Sequence, residues 1–160
     1  MDGFPEPVER VAAVLRAAAV EARIEELPRG TATAREAADA IGCDLAQIVK
    51  SVVLVCDGAY VLALVPGDRR ADEAAVGAAV GAVTVRPARP EEEREATGFE
   101  PDGVAPFPQR AVARVLMEAT LIAHPVVWIG AGTAAHMAAL PPADLQKLAR
   151  AQTVELGSRG

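Results

Sequence analysis

The stretch Ala46–Cys56, AQIVKSVVLVC, constrains the fold more than any other part of the chain. Nine of its eleven residues are apolar or small, and Asp57-Gly58 follows at once. A Val-rich run of this length suits a largely buried strand. Asp-Gly between two such runs is a strong signal for a two-residue hairpin, and Tyr60–Val65 supplies the returning strand. One residue sits badly in that strand. A cation in an apolar run must be paired, must reach the sheet edge on its stem, or must have its charge destabilised by burial. Only two of the 16 basic residues are lysines, Lys50 and Lys147. Where charge or stem packing alone is wanted this chain uses Arg, so Lys50 is the leading candidate for a functional side chain.

At 160 residues the chain is expected to form one domain with a substantial core and no internal boundary. Only five residues are aromatic, so that core must come from Ala, Val, Leu and Ile. No apolar run approaches the roughly 18 residues a membrane-spanning helix needs. The acidic start, Met1-Asp2-Gly3-Phe4-Pro5-Glu6, lacks the basic region of a signal peptide. Cys43 and Cys56 form no CxxC pair and read as core thiols in a reducing compartment rather than as a disulfide. A cytoplasmic protein with no membrane partner is expected. The net charge of −6 argues against non-specific coating of nucleic acid, which needs many phosphate contacts. It leaves room for a local cationic pocket built from Arg29, Arg35, Arg69 and Arg70.

In chain order, residues 7–22 have the apolar spacing of an amphipathic helix, and residues 24–27 suit a short edge strand stopped by Pro28 and Gly30. Thr33-x-x-Glu36 is a capping box opening a helix that runs to Ile41 and stops at Gly42. Asp44 caps a second short helix over residues 45–49. Asp72 caps a helix ending near Gly81, followed by a strand over 83–85. Pro90 with three following glutamates opens another helix. Strands are expected over 112–117, 125–129, 136–140 and 153–156, with a helix from Pro141–Pro142 to about Arg150.

The segment Gly98-Phe99-Glu100-Pro101-Asp102-Gly103-Val104-Ala105-Pro106-Phe107-Pro108 is too rich in Gly and Pro for a helix or interior strand. It is read either as a shaped binding surface or as a packed connector plugged by its two Phe residues. At Gly130-Ala131-Gly132-Thr133 the glycines would let the backbone approach a ligand, with N–H groups available to an oxygen. No G-x-S-x-G or Walker loop is present. His124 and His136 read as structural, and the spacing of His, Cys and carboxylates gives no zinc site. Ser51 should face away from Lys50 across a regular strand, which disfavours a Ser–Lys dyad. The remaining inventory fits a pocket that polarises a carbonyl with an ammonium and backbone N–H groups.

Five motifs in order, Thr33-Ala34-x-Glu36-Ala37-Ala38, Gln47-Ile48-Val49-Lys50-Ser51, Val65-Pro66-Gly67-Asp68, Thr97-Gly98-Phe99-x-Pro101-x-Gly103-Val104-x-Pro106-Phe107, and Gly130-x-Gly132 with Pro142-Ala143-Asp144-Leu145, carry a resemblance. Over about residues 8–156 the chain resembles the YbaK/ProX family of aminoacyl-tRNA deacylases, related to the editing domain inserted in bacterial prolyl-tRNA synthetases. The resemblance implies a single α/β (mixed α+β) domain over residues 1–160, with a curved mixed β-sheet flanked by helices. It implies trans-editing: hydrolysis of the ester of a mischarged tRNA carrying a small amino acid, as in Cys-tRNA(Pro) or Ala-tRNA(Pro). Lys50 takes the place of the family's essential lysine. Gly98, Phe99, Gly103, Val104, Pro106 and Phe107, with Gly130, Ala131, Gly132 and Thr133, take the place of the substrate-binding walls. The implied partners are the tRNA acceptor end and an aminoacyl-tRNA synthetase; neither metal nor organic cofactor is implied. The chain departs from the family pattern at Asp102, where Gly is common, at Ala105 for Ser, and at Pro108 for Gly. It departs again at Thr133–His136, in place of basic and Gly residues. Two rival readings are a non-catalytic module binding an aminoacyl or nucleotide ligand beside a synthetase, and a small-molecule ester hydrolase.

Overall fold

The structure is a computed structural model that describes residues 3–28, 31 and 33–159. In chain order its elements are α1 (Glu6–Ala17), β1 (Arg23–Glu26), α2 (Ala34–Ile41), β2 (Val49–Cys56), β3 (Ala59–Pro66), β4 (Arg69–Ala71), α3 (Glu73–Val80) and β5 (Val85–Pro87). There follow α4 (Pro90–Thr97), β6 (Arg114–Glu118), β7 (Val127–Gly130), β8 (His136–Leu140), α5 (Pro142–Ala149), β9 (Ala151–Val154) and β10 (Gly157–Arg159). The fold is mixed α+β, as the sequence resemblance implies.

The β2–β3 hairpin is the spine. Asp57 and Gly58 both take positive φ, +48° and +83°, as a type I′ turn requires, and the strands pair from Val49↔Pro66 to Cys56↔Ala59. Around it lies a five-stranded mixed sheet of order β5-β2-β3-β6-β9, in which β6 runs parallel to both neighbours. A second, antiparallel sheet has the order β1-β8-β7. One parallel bridge, Ile48↔Trp128, joins its β7 edge to the foot of β2.

Alternation along β2 divides its side chains between two environments. Val49 and Val53 join the main core with Phe99, Phe107, Ile129 and Leu64. Ile48 instead packs with Trp128, Met137 and the Ala37–Ala38 face of α2. Helix starts follow the local chemistry. The Thr33 hydroxyl accepts from the Glu36 amide and the Glu36 carboxylate accepts from the Thr33 amide, while Asp72 accepts from Ala74 and Ala75. Buried Glu118 ties two distant segments together, accepting from the Thr120 amide at 2.6 Å and the Leu156 amide at 2.9 Å. Both cysteines are free thiols. Among the described residues no helix is long and apolar enough to cross a membrane.

Several boundaries differ from the sequence expectation. Helix α1 ends at Ala17 rather than Ala22, because Ala19 turns to φ +55° and Val20 bonds back to the Leu15 carbonyl. The expected strand over 83–85 begins only at Val85: the Asp57 carboxylate captures the amides of Val83 and Thr84 and holds them out of the ladder. The helix expected over 45–49 is a single 3-10 turn, Leu45–Gln47. Short β4 and β10, which pair with each other, carried no strand signal. Gly30, expected to help stop the first strand, lies outside the described residues.

Candidate functional site

By alternation Lys50 shares the face of Ile48, and Gly130 shares that of Trp128. The strands run parallel at the Ile48–Trp128 bridge, so two residues further along each strand Lys50 and Gly130 fall on one face, side by side. Met137, opposite Gly130 in the β7–β8 register, continues the row. A cavity of about 200 Å3 opens over this row, lined by Lys50, Gly130, Met137, Asp102, Val104 and Thr133, with Ala134 and His136. Its opposite wall is Leu27, Thr31, Thr33, Ala34 and Ala37, leading into and along α2.

Lys50 is half-buried and its ammonium donates to the Arg69 carbonyl. Burial pushes its pKa below the ordinary lysine value; Asp68 partly offsets this and Arg70 adds to it. The cation is thus incompletely solvated, which makes it a stronger electrostatic partner for an incoming oxygen. At the other end of the cavity Thr133 Oγ1 lies 2.6 Å from His136 Nδ1 and accepts from the Ala135 amide.

The expected site residues fall into three groups. Lys50, Val104, Gly130 and Thr133 line one cavity. Gly103 and Gly132 stand behind its wall, pressed against each other: a Cβ on Gly103 would sit 2.7 Å from the Gly132 carbonyl oxygen. A Cβ on Gly130 would lie 2.7 Å from the Val104 carbonyl oxygen, and one on Gly132 would lie 2.6 Å from the Pro7 backbone. The glycines therefore permit backbone to pack on backbone, which fixes the Pro101–Val104 segment over the end of β7. The third group lies away from the cavity. Phe99 is a core plug beneath the Arg10 guanidinium, 4.5 Å from its ring centroid, and Phe107 is buried in the same core. Ala131 is buried there too, with its amide donated to the His136 carbonyl. Pro106 and Phe107 border a different hollow near Val112 and Leu148. Gly98 caps α4 at φ +79°, against Arg10 and Arg110.

Of the four arginines proposed as a cationic pocket, Arg29 lies outside the described residues and Arg35 is exposed. Arg69 contributes its carbonyl to Lys50, and Arg70 acts on Lys50 through its charge. Ser51 Oγ is buried without a hydrogen-bond partner among the described residues and lines no part of this cavity. Sequence reasoning did not place the α2 wall: the capping box identified Thr33 and Glu36 as a helix start, and nothing local said that the start borders Lys50. A larger hollow of about 580 Å3 around Trp128, Ala139 and Leu140 is mainly apolar. Its Arg23 is paired with Glu25 and lies over the Trp128 ring, so the reactive groups collect in the smaller cavity. Among the described residues no group of three or more His, Cys, Asp or Glu side chains is placed to hold a metal ion.

A family model described as an aminoacyl-tRNA editing domain matches residues 28–148, a span that includes every residue of the cavity except Leu27, which immediately precedes it. The chain belongs to this YbaK-like editing-domain family. Two proline–tRNA ligases share its sequence in part. That of Acidithiobacillus ferrooxidans is 42% identical over 69 residues, 43% of this chain, and that of Lactobacillus acidophilus is 29% identical over 100 residues, 62% of this chain. The editing-domain chain spans only 12% and 18% of the lengths of those ligases. A crystal structure described as a proposed trans-editing enzyme for prolyl tRNA synthetase superposes with a TM-score of 0.89 at 34% identity, covering 98% of this chain and 99% of the other.

Proposed function

We propose that this editing-domain protein is a trans-acting deacylase that hydrolyses the ester of a tRNA mischarged with a small amino acid, of the Cys-tRNA(Pro) or Ala-tRNA(Pro) kind. The observation that carries the reading is that half-buried Lys50 and Gly130 line one cavity of about 200 Å3. That volume lies below the usual range for drug-sized ligands and suits a small aminoacyl group. Near-complete superposition on a structure described as a proposed trans-editing enzyme supports action outside a synthetase.

In this mechanism Lys50 holds the phosphate–ribose end or polarises the ester carbonyl. The Ala131 amide is already bonded and Gly132 stands behind the cavity wall, which leaves the Thr133 amide as the turn's candidate for the oxyanion. A water oxygen, oriented by a hydrogen bond from a substrate hydroxyl and losing its proton to solvent, adds to the carbonyl carbon. Collapse breaks the carbon–oxygen bond to the ribose; the amino acid leaves as its carboxylate and the terminal hydroxyl regains a proton. The chemistry asks little of the protein because an aminoacyl ester is intrinsically labile. A synthetase partner would supply tRNA selection that an acidic chain with one small cationic site lacks.

The test is a deacylation panel of tRNAs charged with Ala, Cys, Ser or Thr, with and without EDTA. Release above the uncatalysed rate from at least one member, unaffected by EDTA, is expected. No release across the panel, or loss with EDTA, refutes the proposal. Binding without release would favour the ligand-binding reading instead.

A further inference from the structure

We infer that Asp102 is the recognition group for the substrate's α-ammonium, an inference that rests on the deacylase reading above. An aminoacyl ester carries its positive α-amino group on the carbon next to the carbonyl. A site that presents only the Lys50 ammonium to that carbonyl would repel the α-ammonium beside it, since like charges a few ångströms apart in a partly desolvated site oppose each other strongly. An adjacent anion removes that conflict. Among the described residues lining the cavity, Asp102 is the sole carboxylate.

Its setting suits the role. Asp102 sits in the 3-10 turn Pro101–Gly103, between a proline and a glycine locked against the Gly132–Thr133 backbone. The Gly103 amide bonds to the Glu100 carbonyl, and Glu100 pairs with Arg94 on α4 at 2.8 Å. The backbone that carries Asp102 is therefore fixed, although its side chain is exposed. That side chain makes no hydrogen bond or ion pair with any described residue. Of the other carboxylates nearby, Glu100 is committed to Arg94 and Glu36 to the Thr33 amide, while Asp68, whose charge acts on Lys50, does not line the cavity. A carboxylate unpaired among the described residues, on a rigid turn at the rim of a cavity lined by one lysine, gives two charges of opposite sign. An α-amino ester presents the complementary pair, a cationic amine and an electron-rich carbonyl or phosphate.

The experiment compares the aminoacyl-tRNA that the wild-type protein cleaves with its α-hydroxy acyl counterpart, which replaces the ammonium by a neutral group of similar size. Both substrates are assayed with wild type, Asp102→Asn and Asp102→Glu. A charge-assisted contact of this kind corresponds to about a 10- to 100-fold difference in kcat/KM. Asp102→Asn should lose that factor on the aminoacyl substrate, so that the wild-type preference for the amine over the hydroxyl collapses. Asp102→Glu should recover part of it. An amine-to-hydroxyl preference unchanged in Asp102→Asn overturns the inference while leaving the deacylase reading intact. Absence of cleavage by the wild-type protein across the tRNA panel overturns both.

Discussion

Replacing Lys50 separates the demands of the fold from those of the chemistry. Lys50→Met keeps most of the stem that packs along β2 but removes the ammonium. The folded-state pKa of Lys50 lies below its ordinary value, so the protonated form carries a burial penalty at neutral pH. That penalty is relieved as pH rises through the folded-state pKa, and Lys50→Met removes it at every pH. Against this gain, the Arg69 carbonyl loses its donor. The opposing effects should leave stability within about 1 kcal/mol of wild type. The stability difference should also shift against the methionine variant as pH rises, because only wild type is then relieved. Turnover behaves differently. Loss of one placed electrostatic donor costs about 10²–10³ in rate, or about 2.7–4 kcal/mol of barrier. Lys50→Arg should lose most of this as well, because the longer planar guanidinium moves the charge and crowds a cavity of about 200 Å3. Single-turnover deacylation, corrected for uncatalysed hydrolysis, would be paired with denaturant unfolding of each variant. A wild-type rate in Lys50→Arg would show that positive charge alone suffices. An unfolded Lys50→Met would show that Lys50 is structural. Either result refutes the reasoning.

Two further predictions test the frame around the site. Gly130→Ala forces a Cβ to within 2.7 Å of the Val104 carbonyl, so the turn carrying Asp102 must move. A stability loss of about 1–3 kcal/mol is expected, with a larger proportional loss of kcat/KM than of folded protein; an unchanged kcat/KM would show that the turn does not shape the site. Away from the site, Arg86 and the Arg89 amide hold the Glu92 carboxyl down at about 2. A depressed carboxyl contributes stability above its ordinary value of 4.5, and this is lost as pH falls through about 2. Glu92→Gln should therefore be less stable than wild type at pH 7, with the difference disappearing over that acid window. A difference independent of pH would refute the assignment.

Features set by neighbours in sequence were legible, and features set by distant contacts were not. The Asp57-Gly58 turn and the caps at Thr33 and Asp72 each depend on a few adjacent residues. Their chemistry is visible in the string, and all three form as expected. Pairing of β4 with β10 joins residues 69–71 to 157–159, segments in which Arg, Gly and Ser give no apolar alternation. The 83–85 strand failed for a related reason, since Asp57, 26 residues away, decides where the ladder starts.

The site lies between these extremes. Lys50 stood out because a lone lysine in a Val-rich strand is chemically conspicuous, and glycine at 130 and 132 announced close approach. What the string could not say is what approaches. Each glycine faces another backbone segment, so their requirement for a missing Cβ is met inside the protein without invoking a ligand. Phe99 and Phe107 show the same ambiguity: the loop composition suits a binding wall and a packed plug equally, and both rings are buried in the core. The side-by-side placement of Lys50 and Gly130 depends on one bridge, Ile48↔Trp128, between residues 80 positions apart. A one-residue slip in that register would turn one of them to the opposite face. The site thus rests on a non-local pairing that no local pattern encodes, and the close glycine contacts of the Pro101–Val104 turn hold the cavity wall where that pairing places its floor.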